Sequence, residues 1–293
     1  MSEERTPGEQ PIPSLYVVGT PIGNLEDITL RALRVLKEVD LIACEDTRQT
    51  QKLLHHYQIR RPMVSYHEHN EMTRAAELIV ELEKGRSIAL VTDAGMPAIS
   101  DPGCRLISLA IRHQVPVVPI PGASAFLSAL VASGLPADSF RFSAFLPAKC
   151  GQRREVLERV KNSQRTEIFY EAPHRIRETL EDIVEVLGLT RHVVIAREVT
   201  KLHEEFLRGS ASDLLEQVKA RGELKGEITL LIGKAEDHPK VAEATPPRIR
   251  QRLQEIMARD NLDQMAALKA VAKEFGISKS AAYRELQRSM GTK

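Results

Sequence analysis

The sequence predicts an α/β protein of two successive α/β domains with a ligand cleft between them, followed by a small C-terminal helical segment. Three observations predict it. Short apolar, strand-like runs alternate with stretches whose apolar residues recur at helical spacing, a pattern that builds a mainly parallel sheet covered on both faces. The alternation is interrupted once, by the Pro, Gly and basic residues of Pro147 to Arg154, and then resumes. Beyond a linker at Asp237 to Pro247 only helical patterning remains. The division that follows is a disordered leader over 1–13, an N-terminal α/β domain over 14–146, a C-terminal α/β domain over 147–236 and a basic helical tail over 246–293.

In chain order, Leu15 to Val18 reads as a buried strand, and Ile28 to Val39 carries Leu30, Leu33, Leu36 and Val39 at helical spacing. Leu41 to Cys44 is the next strand, followed by a helix through Leu53-Leu54 and another from about Arg74 to Leu82. Ser87 to Val91 and Val115 to Ile120 are strands on either side of a helix near Leu106 to Ile111. In the second domain, Thr166 to Tyr170, His192 to Ala196 and Ile228 to Ile232 read as strands. Ile176 to Leu187 and the region of Leu214 to Val218 read as helices.

Composition narrows the class. Of 293 residues, 42% are apolar and 28% charged, ordinary for a chain that buries a core. No run approaches the ~18 apolar residues of a membrane span. Cys44, Cys104 and Cys150 are scattered in no metal spacing, which fits a reducing, cytoplasmic setting. The net charge of +1 divides unevenly: Pro246 to Lys293 holds ten Lys/Arg and five Asp/Glu, or +5, leaving −4 for the rest. A basic tail on an acidic body points to a polyanionic partner.

Three turns follow apolar strands and carry Gly or Pro: Gly19 to Asn24, Thr92 to Pro97 and Pro121 to Ala125. Ligands of open α/β sheets sit beyond the carboxyl ends of strands, where such turns gather. Glycine lets backbone approach a ligand, and proline stiffens the turn. None of the three is a phosphate-binding fingerprint, so a nucleoside without a polyphosphate fits better.

Val17 to Leu25, Cys44-Glu45-Asp46-Thr47-Arg48, Val91 to Gly103, Val118 to Ala125, Phe169 to Arg175 and Ala196 to Lys201, in that order, resemble the tetrapyrrole-methylase superfamily. The resemblance spans Leu15 to Gly233, about three quarters of the chain. Porphyrin-modifying members carry Gly-Pro-Gly after the first strand; Thr20-Pro21-Ile22-Gly23-Asn24 here favours the branch that acts on RNA. The resemblance implies a homodimer with S-adenosylmethionine as methyl donor in the interdomain cleft and no metal. It also implies methyl transfer to the ribose 2′-hydroxyl of a cytidine in small-subunit ribosomal RNA, free or in the subunit. It places Pro21, Asp93, Met96, Ser124, Ala125 and Glu171 at the cofactor, with Glu171 replacing an apolar residue of the porphyrin relatives. Glu45 aligns with a carboxylate proposed there as proton acceptor. Lys201 and Lys225 are alternative bases, each needing a lowered pKa.

Other readings stay open. Asp46 is placed to cap the helix beginning at Thr47. Arg48, Arg175 and Arg197 are either solvated charges or contacts for an RNA backbone. His67-Glu68-His69 invites a metal but lacks further ligands nearby. In the tail, Ala266 to Phe275 and Lys279 to Arg288 read as helices about a turn at Gly276-Ile277-Ser278, with Val271, Ile277, Ala282 and Leu286 as a small core. The pair resembles a helix-turn-helix, and Lys279, Arg284 and Arg288 form its basic face, or it is a plain hairpin packed on the body. A precorrin or porphyrin methyltransferase, and a DNA-binding regulator with a nucleoside-sensing body, are the competing functions.

Overall fold

The computed structural model describes residues 12–235, 246–260, 262–275, 277 and 279–290; most of the leader and of the second linker lie outside them. The first sheet is built from β1 (Leu15–Val18), β2 (Leu41–Cys44), β3 (Met63–Ser65), β4 (Ile88–Val91) and β5 (Val117–Ile120). Its order is β3-β2-β4-β1-β5 and every pairing is parallel. β1 and β4 are buried along their whole length, as continuous apolar runs in a sheet covered on both faces must be. On one face Tyr16, Val18, Ile42 and Val91 pack on α1 (Leu30–Glu38) and α2 (Thr47–His56). On the other, Leu15, Ala43, Ile88 and Leu90 pack on α3 (Glu71–Glu83) and α4 (Cys104–Arg112). Thr29 caps α1 by accepting from the Ala32 amide at 3.1 Å, and Asp46 caps α2 through the Arg48 amide at 2.8 Å.

The first unit continues through α5 (Ala125–Ser133), β6 (Phe140–Phe145), α6 (Cys150–Val160), β7 (Thr166–Glu171), α7 (Ile176–Leu187), β8 (His192–Arg197), β9 (Glu205–Ser210), α8 (Ala211–Arg221) and β10 (Ile228–Ile232). These strands form a second sheet of order β6-β7-β10-β8-β9. It is mixed rather than mainly parallel: β6 runs with β7, whereas β7–β10, β10–β8 and β8–β9 are antiparallel. β8 and β9 form a hairpin, and β10, last in the chain, inserts at the centre with all five residues buried. β9 escapes a reading by pattern because Glu205-Phe206-Leu207-Arg208-Gly209-Ser210 buries only Leu207.

The sheets divide the chain earlier than Leu146. β6 pairs with β7, and α5 already packs Ala129 and Leu130 against Ile168, Val194, Ala196 and Leu231 of the second sheet. The segment read as a hinge, Pro147 to Arg154, instead opens α6, whose Arg153 is 1% exposed. Arg153 binds the buried Asp182 of α7 at 2.6 Å, and Arg154 binds its other oxygen at 2.6 Å. Sequence shows the charges but not the carboxylate they enclose.

The second unit holds α9 (Pro246–Asp260), α10 (Gln264–Glu274) and α11 (Lys279–Met290). The core is its own: Leu253 and Ile256 of α9 join Leu268, Val271, Ala282 and Leu286, with Ile277 packed at the edge. Asp263 caps α10 through the Ala266 amide at 2.7 Å, and Arg252 ties α9 to Glu274 of α10 at 2.9 Å. A helical trio with a private core replaces the expected pair. Gly276 and Ser278 fall outside the described residues.

Candidate active site

β1 and β4 lie side by side, yet the chain leaves them in opposite directions, towards β2 and β5. Such a reversal opens a crevice beyond the strand ends. The turn after β1 and the turn after β4 meet there, with Thr20 and Gly95 exchanging backbone hydrogen bonds of 2.9 and 3.0 Å. Thr20 Oγ1 also donates to the Thr92 carbonyl at 3.2 Å. The turn after β5 closes in through Gly19 and Gly122. A Cβ on Gly19 would stand 2.8 Å from the Gly122 Cα and 2.6 Å from Met96 Sδ, so only glycine lets these backbones touch. The three turns singled out in the sequence therefore form one structure.

Beside them lies a cavity of about 410 Å³, in the range of small-molecule sites. Ile22, Met96, Ile99, Ala125 and Phe145 give it apolar walls, and Ser124 borders it. Ser124 is the N-cap of α5 but makes no side-chain cap, while the Phe126 amide of the first turn bonds Tyr170. The second sheet supplies the opposite wall through Tyr170, Ala196 and Ile228. Non-glycine residues with positive φ collect around it: Ala98 (69°), Ser100 (66°), Glu198 (53°) and Thr200 (68°). Such conformations persist where surrounding structure enforces them, often at ligand sites.

One carboxylate borders the cavity without a hydrogen bond or ion pair among the described residues: Asp101. Burial first, then the negative charges of Glu45 and Asp93, pushes its carboxyl up to about 6. Glu45 stands behind the wall; burial and then Asp93 raise it too. Asp93 accepts from the Asp46 amide at 3.1 Å, joining the turns after β2 and β4. Tyr170 is driven to about 12, by burial and then by Asp101. Asp101 was missed in the sequence because an acidic residue before proline looks like turn chemistry; only the cavity distinguishes it.

The remaining expected residues divide clearly. Met96, Ser124, Ala125 and Glu171 line the cavity, whereas Pro21 and Asp93 belong to the turns behind it. The Glu171 carboxylate is fully engaged, by Arg175 and Thr179 at 2.6 Å each and by the Ala172 amide at 2.7 Å. Its side chain therefore braces the wall and keeps Arg175 from solvent. Lys201 is gripped by Glu198 at 2.9 Å and Glu227 at 3.1 Å. Burial works against its charge, but those bonds prevail and raise its pKa, opposite to what a base requires. Lys225 is exposed, and its carbonyl accepts from Arg197 at 3.1 Å. Arg197 also pairs with Glu205 at 3.2 Å, and Arg48 projects into solvent beside Asp46. Lys279 and Arg284 are exposed on α11; Arg288 lies on the same helix, its side chain outside the described residues. His67 Nε2 lies 3.2 Å from the side-chain Nδ2 of Asn70.

Comparison with known proteins agrees with this geometry. The family described as Tetrapyrrole (Corrin/Porphyrin) Methylases matches residues 14–215. A cobalt precorrin-4 methyltransferase superposes with a TM-score of 0.54 at 16% identity, covering 75% of this chain and 95% of that one. A uroporphyrin-III C-methyltransferase of Thermus thermophilus, complexed with S-adenosyl homocysteine, superposes with a TM-score of 0.53 at 18% identity, covering 76% of this chain and 98% of its own. These likenesses show the fold. Nearer in sequence, Ribosomal RNA small subunit methyltransferase I of Halalkalibacterium halodurans is 55% identical over 219 residues, 75% of each chain. The protein of that name from Mesorhizobium japonicum is 48% identical over 274 residues, 94% of this chain and 91% of its own. With one fold, one crevice and likeness along nearly its whole length, this chain belongs to the tetrapyrrole methylases and, among them, to the ribosomal RNA small subunit methyltransferase I family.

Proposed function

We propose that this protein transfers a methyl group from S-adenosylmethionine to the ribose 2′-hydroxyl of a cytidine in small-subunit ribosomal RNA. The observation that carries the reading is 48% identity across 94% of the chain to an enzyme named for that RNA. The cavity at the β1/β4 crevice suits the chemistry. S-Adenosylmethionine supplies an electrophilic methyl group on a sulfonium. The N-terminus of α5 at Ser124 and Ala125, which border the cavity, suits its carboxylate, and Met96 and Ile22 suit its apolar surface. Holding the 2′-oxygen in line with the methyl carbon supplies most of the rate, on the order of 7–11 kcal/mol for well-oriented reactants. As the oxygen–carbon bond forms and the sulfur–carbon bond breaks, the hydroxyl proton must leave. Asp101 is the cavity-lining carboxylate left without a hydrogen bond or ion pair among the described residues, and the charge of Glu45 raises its proton affinity.

A homodimer accords with the exposed apolar side chains of Leu127 (44%) and Val131 (78%) on α5 and of Phe140 (39%) and Phe145 (56%) on the edge strand β6. Among the described residues, no helix is long and apolar enough to cross a membrane.

The test is incubation with labelled methyl donor and small ribosomal subunits from a strain lacking the enzyme. Label should enter 2′-O-methylcytidine after nuclease digestion. No label in the RNA, or label in a tetrapyrrole offered instead, would overturn the reading.

A further inference from the structure

From Thr47 to His67 the chain holds four Lys/Arg and three His with no Asp or Glu. Elsewhere several arginines are held in ion pairs: Arg141, Arg153, Arg175, Arg197 and Arg221 each meet a carboxylate. Lys52, His55 and His56 on α2, and Arg60 and Arg61 in the turn after it, are all exposed. Among the described residues neither Arg60 nor Arg61 has an ion pair. The carboxylate that feels Arg61, Asp40, is already occupied by the Ser87 amide at 2.7 Å and hydroxyl at 2.8 Å.

Arg60 and Arg61, with His55 and Gln51, line a groove of about 500 Å³ that also has Leu54, Ile59 and Met63 among its lining residues. An apolar lining beneath a cationic rim fits a chain with planar bases and regularly spaced anions better than a single small anion. The groove's location also fits. α2 begins at the Asp46–Asp93 contact, and its ten residues span roughly 15 Å, so the rim stands about one helix length from the carboxylates of the site.

We propose that this α2–β3 groove, with Arg60 and Arg61 at its centre, docks the phosphodiester backbone of the RNA whose ribose enters the cavity. The inference rests on the RNA-methylating reading above. It assigns the main RNA contact of the catalytic unit to a surface apart from Arg175 and Arg197, whose charges are engaged within the fold.

The experiment compares wild type, R60Q/R61Q and R60K/R61K for binding and methylation of small-subunit ribosomal RNA across salt concentrations. S-Adenosylmethionine affinity serves as the folding control. Each lost single-strand phosphate contact removes about 0.7 from the slope of log affinity against log salt, so the glutamine pair should flatten it by about 1.4. KM for RNA should rise roughly tenfold with kcat at saturation unchanged, and the lysine pair should restore most of the slope. Equal slopes and equal KM in wild type and R60Q/R61Q would overturn the proposal, as would a loss the lysines do not repair. Should wild type bind this RNA but leave it unmethylated, the functional reading fails instead, and the slopes still decide the groove.

Discussion

Asp101 changes charge near neutrality because folding places it in an apolar wall beside two other carboxylates. With a folded pKa of about 6 against an ordinary 3.8, it is protonated at pH 5 and ionised at pH 7. As proton acceptor it therefore predicts a kcat/KM that rises through about pH 6 and then levels. Asp101→Asn should abolish that limb and lower kcat by about 10²–10⁴-fold while S-adenosylmethionine affinity holds. An unchanged pH profile in the variant would return the role to Glu45. The raised pKa also has a sign for stability. Between 3.8 and about 6 the folded state keeps a proton that the unfolded chain releases, so this site loses stability as pH rises through that window. Asp93 has a different task, since its carboxylate holds the Asp46 amide and so joins two turns of the crevice. Asp93→Ala removes that internal bond, worth roughly 1.5–3 kcal/mol, and by loosening the crevice should weaken S-adenosylmethionine binding by up to about tenfold. A fall in melting temperature with unchanged calorimetric affinity would show that it only shapes the turn.

At the scale of elements, helices α6 and α7 beside the second sheet are held to each other by a buried ionic clamp as well as by apolar packing. Asp182 of α7 is 2% exposed and takes both Arg153 and Arg154 of α6. Burial raises its pKa, yet the two guanidinium bonds outweigh burial and leave it below the ordinary carboxylate range. Removing Asp182 takes from the buried Arg153 its shortest ion pair. Asp182→Ala should cost about 3 kcal/mol in chemical denaturation, because Arg153 would stay buried with only Glu178 at 3.6 Å and the Ala148 carbonyl at 3.3 Å to meet its charge. A loss below about 1 kcal/mol would mean that water reaches Arg153 and replaces the carboxylate. The same helix shows why the hinge was misplaced. Lys149, Arg153 and Arg154 after Pro147 look like an exposed connector, and nothing local reveals that Asp182, distant in sequence, lies against them.

For the whole molecule, charge and architecture separate together. The tail from Pro246 carries +5 and folds about its own core of Leu253, Val271 and Leu286. It contains none of the residues lining the cavity. Removing Pro246 to Lys293 should leave S-adenosylmethionine affinity within about twofold, yet weaken RNA binding and flatten its salt dependence. Identical salt slopes for full-length and shortened protein would show that the tail touches no phosphates.

Local chemistry was enough for much of this. The buried runs Leu15–Val18 and Ile88–Val91, the cap at Asp46 and the Gly/Pro turns after β1, β4 and β5 follow from side-chain size, periodicity and backbone freedom, and all stand as read. The family was also legible, because its motifs lie in those same turns. Contacts between distant segments were not. Pairing direction in the second sheet, the membership of α5 and β6, the engagement of Glu171 by Arg175 and the unpaired state of Asp101 each depend on a partner, or its absence, far along the chain. A carboxylate in a sequence carries its charge but not its dielectric surroundings. Only the folded chain decides whether that charge is neutralised, screened or left to work.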